Sequence, residues 1–156
     1  MIQTSAGLSL PIKIVTVILM IITIGFGIAS FFNINLLIPA GLCAAILILC
    51  YFFAPMSYEL SNKTLIVRSR LSKSEFLPVE KCSKISTSFS FGIKLWGNGG
   101  CFAITGIYWN KIYGKFRAYV TSTKANDLVL LETKNTKIII SPKQPAEFVE
   151  TWNSKK

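Results

Sequence analysis

The sequence predicts an α+β membrane protein, in which a two-helix transmembrane hairpin precedes a mainly-β domain that ends in a helix. Three observations predict this fold class. Residues 12–32 and 36–54 are apolar runs that contain no charge after Lys13. After Pro55 the apolar residues change from helical spacing to alternation, which is typical of strands. A final amphipathic segment at 145–153 begins with proline, which is favoured in the first turn of a helix.

The two apolar runs are long enough to cross a bilayer. Helices of 21 and 19 residues extend about 31 and 28 Å, close to the hydrocarbon thickness of roughly 30 Å. Only residues 33–35 separate the runs, so both ends of the hairpin face the same side. Of the 17 basic residues, 16 follow Met56 and none lies in the connecting loop. The positive-inside rule therefore predicts a multi-pass protein of the cell membrane with both termini in the cytoplasm.

Other interpretations of the apolar runs remain open. Gly27, Ile28 and Ala29 resemble the cleavage site of a signal peptide, although no positive charge precedes Lys13 and a second apolar run follows. Small residues spaced by four, such as Gly25 with Ala29, allow close packing of helices in lipid. We expect them to join the two helices of one hairpin, and a dimer between chains is the alternative.

The chain is expected to divide into three parts. Residues 1–11 are predicted to be a poorly ordered tail and 12–54 the transmembrane hairpin. Residues 57–156 form a soluble domain of ordinary size, with 16 basic against 7 acidic side chains. Strands are predicted within it at 57–60, 64–70, 73–77, 84–91, 102–109, 114–121, 127–133 and 136–141. Their number and spacing predict an antiparallel barrel or sandwich, and the C-terminal helix 145–153 is expected to cover one end or edge.

Several segments within residues 57–153 also carry a family resemblance. They are Ser57-Tyr58-Glu59-Leu60, 64–69, 93–100, Thr105-Gly106 with Tyr108-Trp109, 114–119, and Ile140-Ser141-Pro142 followed by Pro145 and Phe148-Val149. Through these segments and its order of elements the chain resembles the bacterial PH domain family, whose members often carry two membrane spans just before the domain. The resemblance implies a PH-like barrel with a capping C-terminal helix and a non-enzymatic role, without identifying a ligand.

The composition argues against an enzyme, a cofactor or a metal site. The chain contains no histidine, its seven carboxylates are scattered, and its four cysteines form no CxxC pair or ligand-spaced cluster. The glycine-rich stretch at 97–100 matches no phosphate-binding motif and is interpreted as a hairpin loop that needs positive φ. Nucleic acid is not expected as a partner, because the aromatic residues follow strand periodicity like core residues.

Basic residues near the start of the domain form the candidate ligand site, which consists of Lys63, Arg68, Arg70 and Lys73. Arg68-Ser69-Arg70 matches the basic pair of phosphoinositide-binding PH domains, but the loop from Lys63 is shorter than theirs. We therefore predict a membrane-anchored PH-like protein for binding or scaffolding, with recognition of anionic lipid headgroups as the alternative. A third interpretation is that these charges serve only topology and solubility. A protein partner or self-association is also predicted, through an exposed strand edge at 84–91.

Overall fold

The computed structural model describes residues 1–61, 63–76, 78–85 and 89–154. Two long helices come first: α1 is Leu10–Ala29, and α2 is Leu37–Phe53, preceded by a 3-10 turn at Ile34–Leu36. They pack against each other, and both are long and apolar enough to cross a membrane. Only 11% and 6% of their most apolar windows are buried within the molecule, so these are not core helices of a soluble domain.

The N-terminal residues form a strand, so the expectation of a poorly ordered tail at 1–11 is wrong. Strand β1 (Ile2–Thr4) pairs antiparallel with β2 (Pro55–Ser61). The Met1 amino group donates to the Leu60 carbonyl at 2.9 Å, which fixes the start of the chain. Three residues are too few to show a strand period, and their partner follows only after both helices, so no local signal marks them.

The remaining strands complete two sheets. They are β3 (Thr64–Ser69), β4 (Lys73–Phe76), β5 (Val79–Lys84), β6 (Ile93–Gly99), β7 (Ile104–Asn110), β8 (Gly114–Val120), β9 (Val129–Thr133) and β10 (Lys137–Ile140). One sheet has the order β1-β2-β3-β4 and the other the order β5-β9-β10-β8-β7-β6. The described strands therefore form two sheets rather than the closed barrel that was predicted. The pairing is also not wholly antiparallel, because β10 lies parallel to β8.

Two strand predictions are wrong. The strand expected at 84–91 instead lies earlier in the chain, as β5. The predicted hairpin loop at 97–100 is also wrong in part, because β6 continues to Gly99. Phe89 and Phe91 are not in a strand but pack on the core, so their alternation reflects burial without sheet pairing. Three parts of the predicted domain lie outside the described residues: 86–88 of that strand, Leu77 of the strand at 73–77, and Asn62 between the first two predicted strands.

The six-stranded sheet is buried on both faces at its centre. Alternate residues of β10 point to opposite sides, so that Ile138 and Ile140 join one cluster and Ile139 the other. The first cluster includes the inner face of β2 and β3, with Tyr58 and Leu65. The second includes Ile12 from α1, which is 1% exposed. Helix α1 is thus joined to the β-domain by a shared core.

The C-terminal helix α3 (Pro145–Asn153) confirms the predicted final element. Phe148 and Trp152 lie four residues apart on one face and are buried in the first cluster. The helix packs beside β5 and covers the space between the two sheets. It therefore closes the side of the domain that the open sheets leave uncovered.

Candidate functional site

Two of the four predicted basic residues lie on the outer face of the four-stranded sheet. Arg68 on β3 is opposite Lys73 on β4 in the register of the strands. The Arg68 guanidinium donates to Glu59 at 2.7 Å, and the Lys73 ammonium lies 3.5 Å from a Glu75 carboxylate oxygen. Both cations are half exposed, so each ion pair contributes little to stability and can exchange with an external anion.

Arg70 has a different environment at the C-terminal end of α2. Its guanidinium carbon lies 3.9 Å from the centroid of the Tyr51 ring, and Nη1 donates to the Tyr51 carbonyl at 3.1 Å. The Arg70 backbone N–H donates to the Phe52 carbonyl at 3.2 Å. A helix has no intrahelical donors for its last carbonyls, so Arg70 both caps α2 and stacks on an aromatic ring. Among the described residues no carboxylate lies within ion-pair distance of Arg70.

Lys63 is separated from the other three basic residues. It lies in the turn between β2 and β3 with φ of 63°, and its carbonyl accepts from the Val79 N–H at 2.7 Å. Arg68 is five positions further along the chain, which corresponds to about 17 Å along β3. The structure therefore brings Arg68, Arg70 and Lys73 to one end of the sheet and puts Lys63 at the other.

A groove of about 430 Å³ lies next to Arg70 and is the concave surface most closely associated with the basic residues. Its walls are the N-terminal segment 5–8, Tyr51 near the end of α2, residues 54–56 leading into β2, Phe102 and Thr121. The Thr121 hydroxyl is already bound to the Ala6 carbonyl at 2.6 Å, which orders that wall. The groove is mainly apolar, and Arg70 supplies its positive charge.

The junction between the helices and the domain is built around the loop that joins β6 to β7. The Phe102 N–H donates to the Thr16 hydroxyl of α1 at 2.9 Å, and the Phe102 ring meets the Tyr51 ring of α2 edge-to-face at 5.4 Å. Gly100 lies against Val15. We call these residues of the loop, α1 and α2 the anchor junction. It fixes the domain relative to both helices.

The buried thiol and phenol groups of the domain are not poised for chemistry at neutral pH. Burial raises the pKa of the Cys82 thiol to about 12 and that of the Tyr108 phenol to about 12. A protonated thiol is a poor nucleophile and a poor metal ligand. Within the described part of the chain, no three His, Cys, Asp or Glu side chains come together as metal ligands.

Comparison with known protein families gives a match over residues 56–156, to the family model described as Bacterial PH domain. This match covers more than half of the chain. The protein belongs to the bacterial PH domain family. No curated protein and no solved structure gave a significant match. The family match begins at the first residues of β2, so it leaves out β1 and Ile12, which complete this bacterial PH domain in space.

Sequence reasoning identified the basic residues of the bacterial PH domain but missed their surroundings. Nothing local in the sequence pointed to the contact of the Tyr51 ring with Arg70, 19 residues away. The segment 5–8, which forms a wall of the groove, was interpreted as tail. The run of β-forming residues Ile2-Gln3-Thr4 is the one available signal, and it is too short to decide between strand and coil.

Proposed function

We propose that this bacterial PH domain protein is a membrane-anchored, non-enzymatic module for binding or scaffolding at the cytoplasmic face of the cell membrane. The observation that carries the proposal is the outer surface of α1 and α2. Isoleucine, leucine and phenylalanine side chains cover it and are exposed, including Ile21 at 63% and Leu42 at 62%. Water is an unfavourable environment for so large an apolar surface, and lipid is a favourable one.

Rigid attachment supports a role for the domain at the membrane surface. Ile12 is buried in the domain core, and the anchor junction joins both helices to the β6–β7 loop. A flexible linker would let the domain sample many orientations, whereas here only Ala54 separates α2 from β2, and the segment 5–9 between β1 and α1 is hydrogen-bonded to the domain. A partner would therefore meet the domain at one height and one orientation relative to the bilayer.

A binding role is also consistent with the chemistry of the domain. PH domains are generally non-catalytic binding modules, and the buried Cys82 and Tyr108 groups are kept protonated by their burial. The cytoplasmic orientation follows from the excess of Lys and Arg after Met56.

The test uses the full chain, since residues 57–156 alone would lack β1 and Ile12. Membranes from expressing cells are washed with alkaline carbonate and floated on a density gradient, and the intact membranes are then treated with a lysine-reactive crosslinker. We expect the protein to float with lipid after the wash and to yield a discrete crosslinked species with itself or a second protein. Release into the wash would contradict the anchor, and a solely monomeric pattern would contradict scaffolding.

Recognition of anionic lipid headgroups is the second candidate, and Arg70 favours it. Tyr51 lies at the end of α2, where aromatic side chains concentrate at the membrane surface, so Arg70 would lie at headgroup depth. Arg68 and Lys73 are near the same end of the sheet, and their exposed ion pairs can exchange for a lipid phosphate.

A spin-labelled lipid experiment tests this candidate. The full chain is reconstituted in phosphatidylcholine that contains either spin-labelled phosphatidylglycerol or spin-labelled phosphatidylcholine, and the immobilised fraction of each label is compared. We expect a preference for phosphatidylglycerol that Arg70→Gln reduces and that Lys63→Gln, the matched control at the far end of β3, leaves unchanged. Equal reduction by both variants would indicate bulk attraction rather than a site at Arg70.

A further inference from the structure

The free edge of the six-stranded sheet carries apolar side chains that the domain does not cover. Strand β6 is last in the order of the described strands of that sheet, and all its residues but Asn98 are classed as exposed. Ile93 is 61% exposed, Leu95 53% and Trp96 77%. Large apolar side chains gathered on one strand edge are uncommon on a soluble surface and indicate a contact.

This apolar edge continues onto the neighbouring strand. Trp96 is opposite Ile107 on β7, and Ile93 is opposite Trp109, so each pair shares one face of the sheet. Tyr108, between Ile107 and Trp109, is buried on the opposite face. On the face of Trp109, Arg117 of β8 stacks on Phe76 of β4 at 5.7 Å, whereas Trp109 of β7 is 40% exposed.

The same strand faces α2 across an open groove. This groove, of about 670 Å³, is lined on one side by Ile46, Leu49 and Cys50 and on the other by residues 94–98 of β6. Ile46 is seven residues before Phe53, the end of α2, which corresponds to about 10 Å along the helix. The surface of α2 that faces β6 therefore reaches well back from the point where the helix leaves the domain.

The lengths of the helices then fix the depth of this edge. If every part of α1 and α2 that contacts the domain were outside the bilayer, only residues 17–29 and 37–45 would remain to cross it. These 13 and 9 residues extend about 20 and 14 Å, against a hydrocarbon thickness of roughly 30 Å. A membrane anchor therefore requires that the bilayer cover part of the helix surface that faces β6.

We propose that strand β6 is a second membrane contact of this protein, in which Ile93, Leu95 and Trp96 lie in the interfacial layer of the leaflet next to the domain. Tryptophan favours this layer because its ring is apolar and its N–H is polar. Lys94, on the same strand, can extend its ammonium group to the headgroups. The interfacial layer also supplies polar partners for the free backbone groups of an edge strand, which the hydrocarbon does not. This inference rests on the proposed membrane anchor.

Quenching by brominated lipids tests the proposal on the full chain in liposomes. The variant Trp109→Phe with Trp152→Phe retains Trp96, and the variant Trp96→Phe with Trp109→Phe retains Trp152, a residue of α3 that is 5% exposed in the core. We expect Trp96 to lose most of its emission when the lipids are brominated near the headgroup, and less when the bromines are near the chain ends. Trp152 is the matched control and should keep its emission in both.

Several results would overturn the proposal. Trp96 emission that is insensitive to brominated lipid but quenched by iodide in water would place β6 in the cytoplasm. Emission protected from both quenchers would mean that a second chain covers the edge. Failure of the protein to float with liposomes would overturn the anchor as well, whereas flotation without quenching would overturn the β6 contact alone. If a double variant fails to fold, the single variant Trp96→Phe replaces it, because Trp96 is exposed and its substitution should not disturb the core. The emission that brominated lipid quenches in the natural chain but not in this variant then belongs to Trp96.

Discussion

The Phe102 N–H in the β6–β7 loop donates a hydrogen bond of 2.9 Å to the Thr16 hydroxyl of α1, across 86 residues of sequence. Thr16 is itself buried, and its hydroxyl donates to the Ile12 carbonyl at 2.8 Å. One side chain thus serves as acceptor for the domain and as donor to its own helix. This relationship couples the orientation of the helices to that of the β-domain.

Removing the hydroxyl should loosen the anchor junction. Thr16→Val keeps the shape of the side chain but leaves the Phe102 N–H without its partner, which costs about 1–3 kcal/mol when the group is buried. Urea unfolding of the full chain in detergent micelles, followed by tryptophan fluorescence, measures the loss. Thr23→Val is the matched control, because the Thr23 hydroxyl binds only the Leu19 carbonyl of its own helix. Equal effects of the two variants would contradict a coupling role for Thr16.

Ile12 should contribute to the stability of the domain although it lies in α1, which is also a candidate membrane span. Its side chain fills space in the second core cluster, so Ile12→Ala should lower the free energy of unfolding by about 2–5 kcal/mol. Ile14→Ala, two residues further along the same helix, removes a side chain that is 49% exposed and should change little. The same urea titration compares them. An unchanged midpoint for Ile12→Ala would mean that the domain core is complete without α1.

These contacts also show where sequence reasoning succeeded and failed. The long apolar runs are marked by their length and lack of charge, and the segment ending near Trp152 by its amphipathic period, so the three helices were predictable to within a few residues. Strand β1 and the burial of Ile12 depend on pairing across the whole anchor, which leaves no local pattern. Strand β6 was missed because its apolar residues do not alternate, and a bulge between Lys94 and Trp96 breaks the period further.

The candidate site was predictable in its charges and unpredictable in its geometry. The basic residues near the start of the domain are visible in the sequence. Lys63 and Arg68 nevertheless lie far apart, because β3 extends between them. Glu59 on β2 pairs with Arg68 on β3, which depends on strand register, whereas Glu75 pairs with Lys73 two positions earlier on the same strand. The stacking of Arg70 on Tyr51 depends on where α2 ends relative to β3, which only the folded chain determines.

Two glycines should be required where β6 and β7 pair closely. Gly97 and Gly106 are paired in register with φ of 116° and 135°, and a Cβ on either would collide with the backbone of the other strand. Gly97→Ala or Gly106→Ala should cost about 1–3 kcal/mol from backbone strain alone and release the β6 edge. Hydrogen exchange of the β6 amides measures this release. Gly99→Ala is the control, because a Cβ added there would lie 3.3 Å from the flexible end of Lys94. Slow exchange of the β6 amides in all three variants would contradict the close pairing.

The domain should lose stability in strong alkali through its buried phenols. Burial raises the pKa of Tyr108 to about 12, and that of Tyr58, whose hydroxyl donates to the Tyr119 carbonyl at 2.7 Å, still further. An unfolded tyrosine has a pKa of about 10, so the folded state holds these protons more tightly. The stabilisation is complete below pH 10 and is lost as the pH rises through that value towards 12. Urea midpoints measured across this range should fall, and Tyr58→Phe should reduce the fall; a flat profile would contradict buried phenols.

The most direct test of the account asks on which side of the membrane the β-domain lies. A protease-cleavable tag is fused after Lys156, and Asn33→Cys is introduced between the two helices in a chain whose four natural cysteines are alanine. In intact cells we expect an impermeant maleimide to label Cys at position 33 from outside, while the tag resists external protease until the cells are opened. Cleavage of the tag in unbroken cells, or labelling at position 33 only after lysis, would contradict a helical hairpin that holds the domain at the cytoplasmic face.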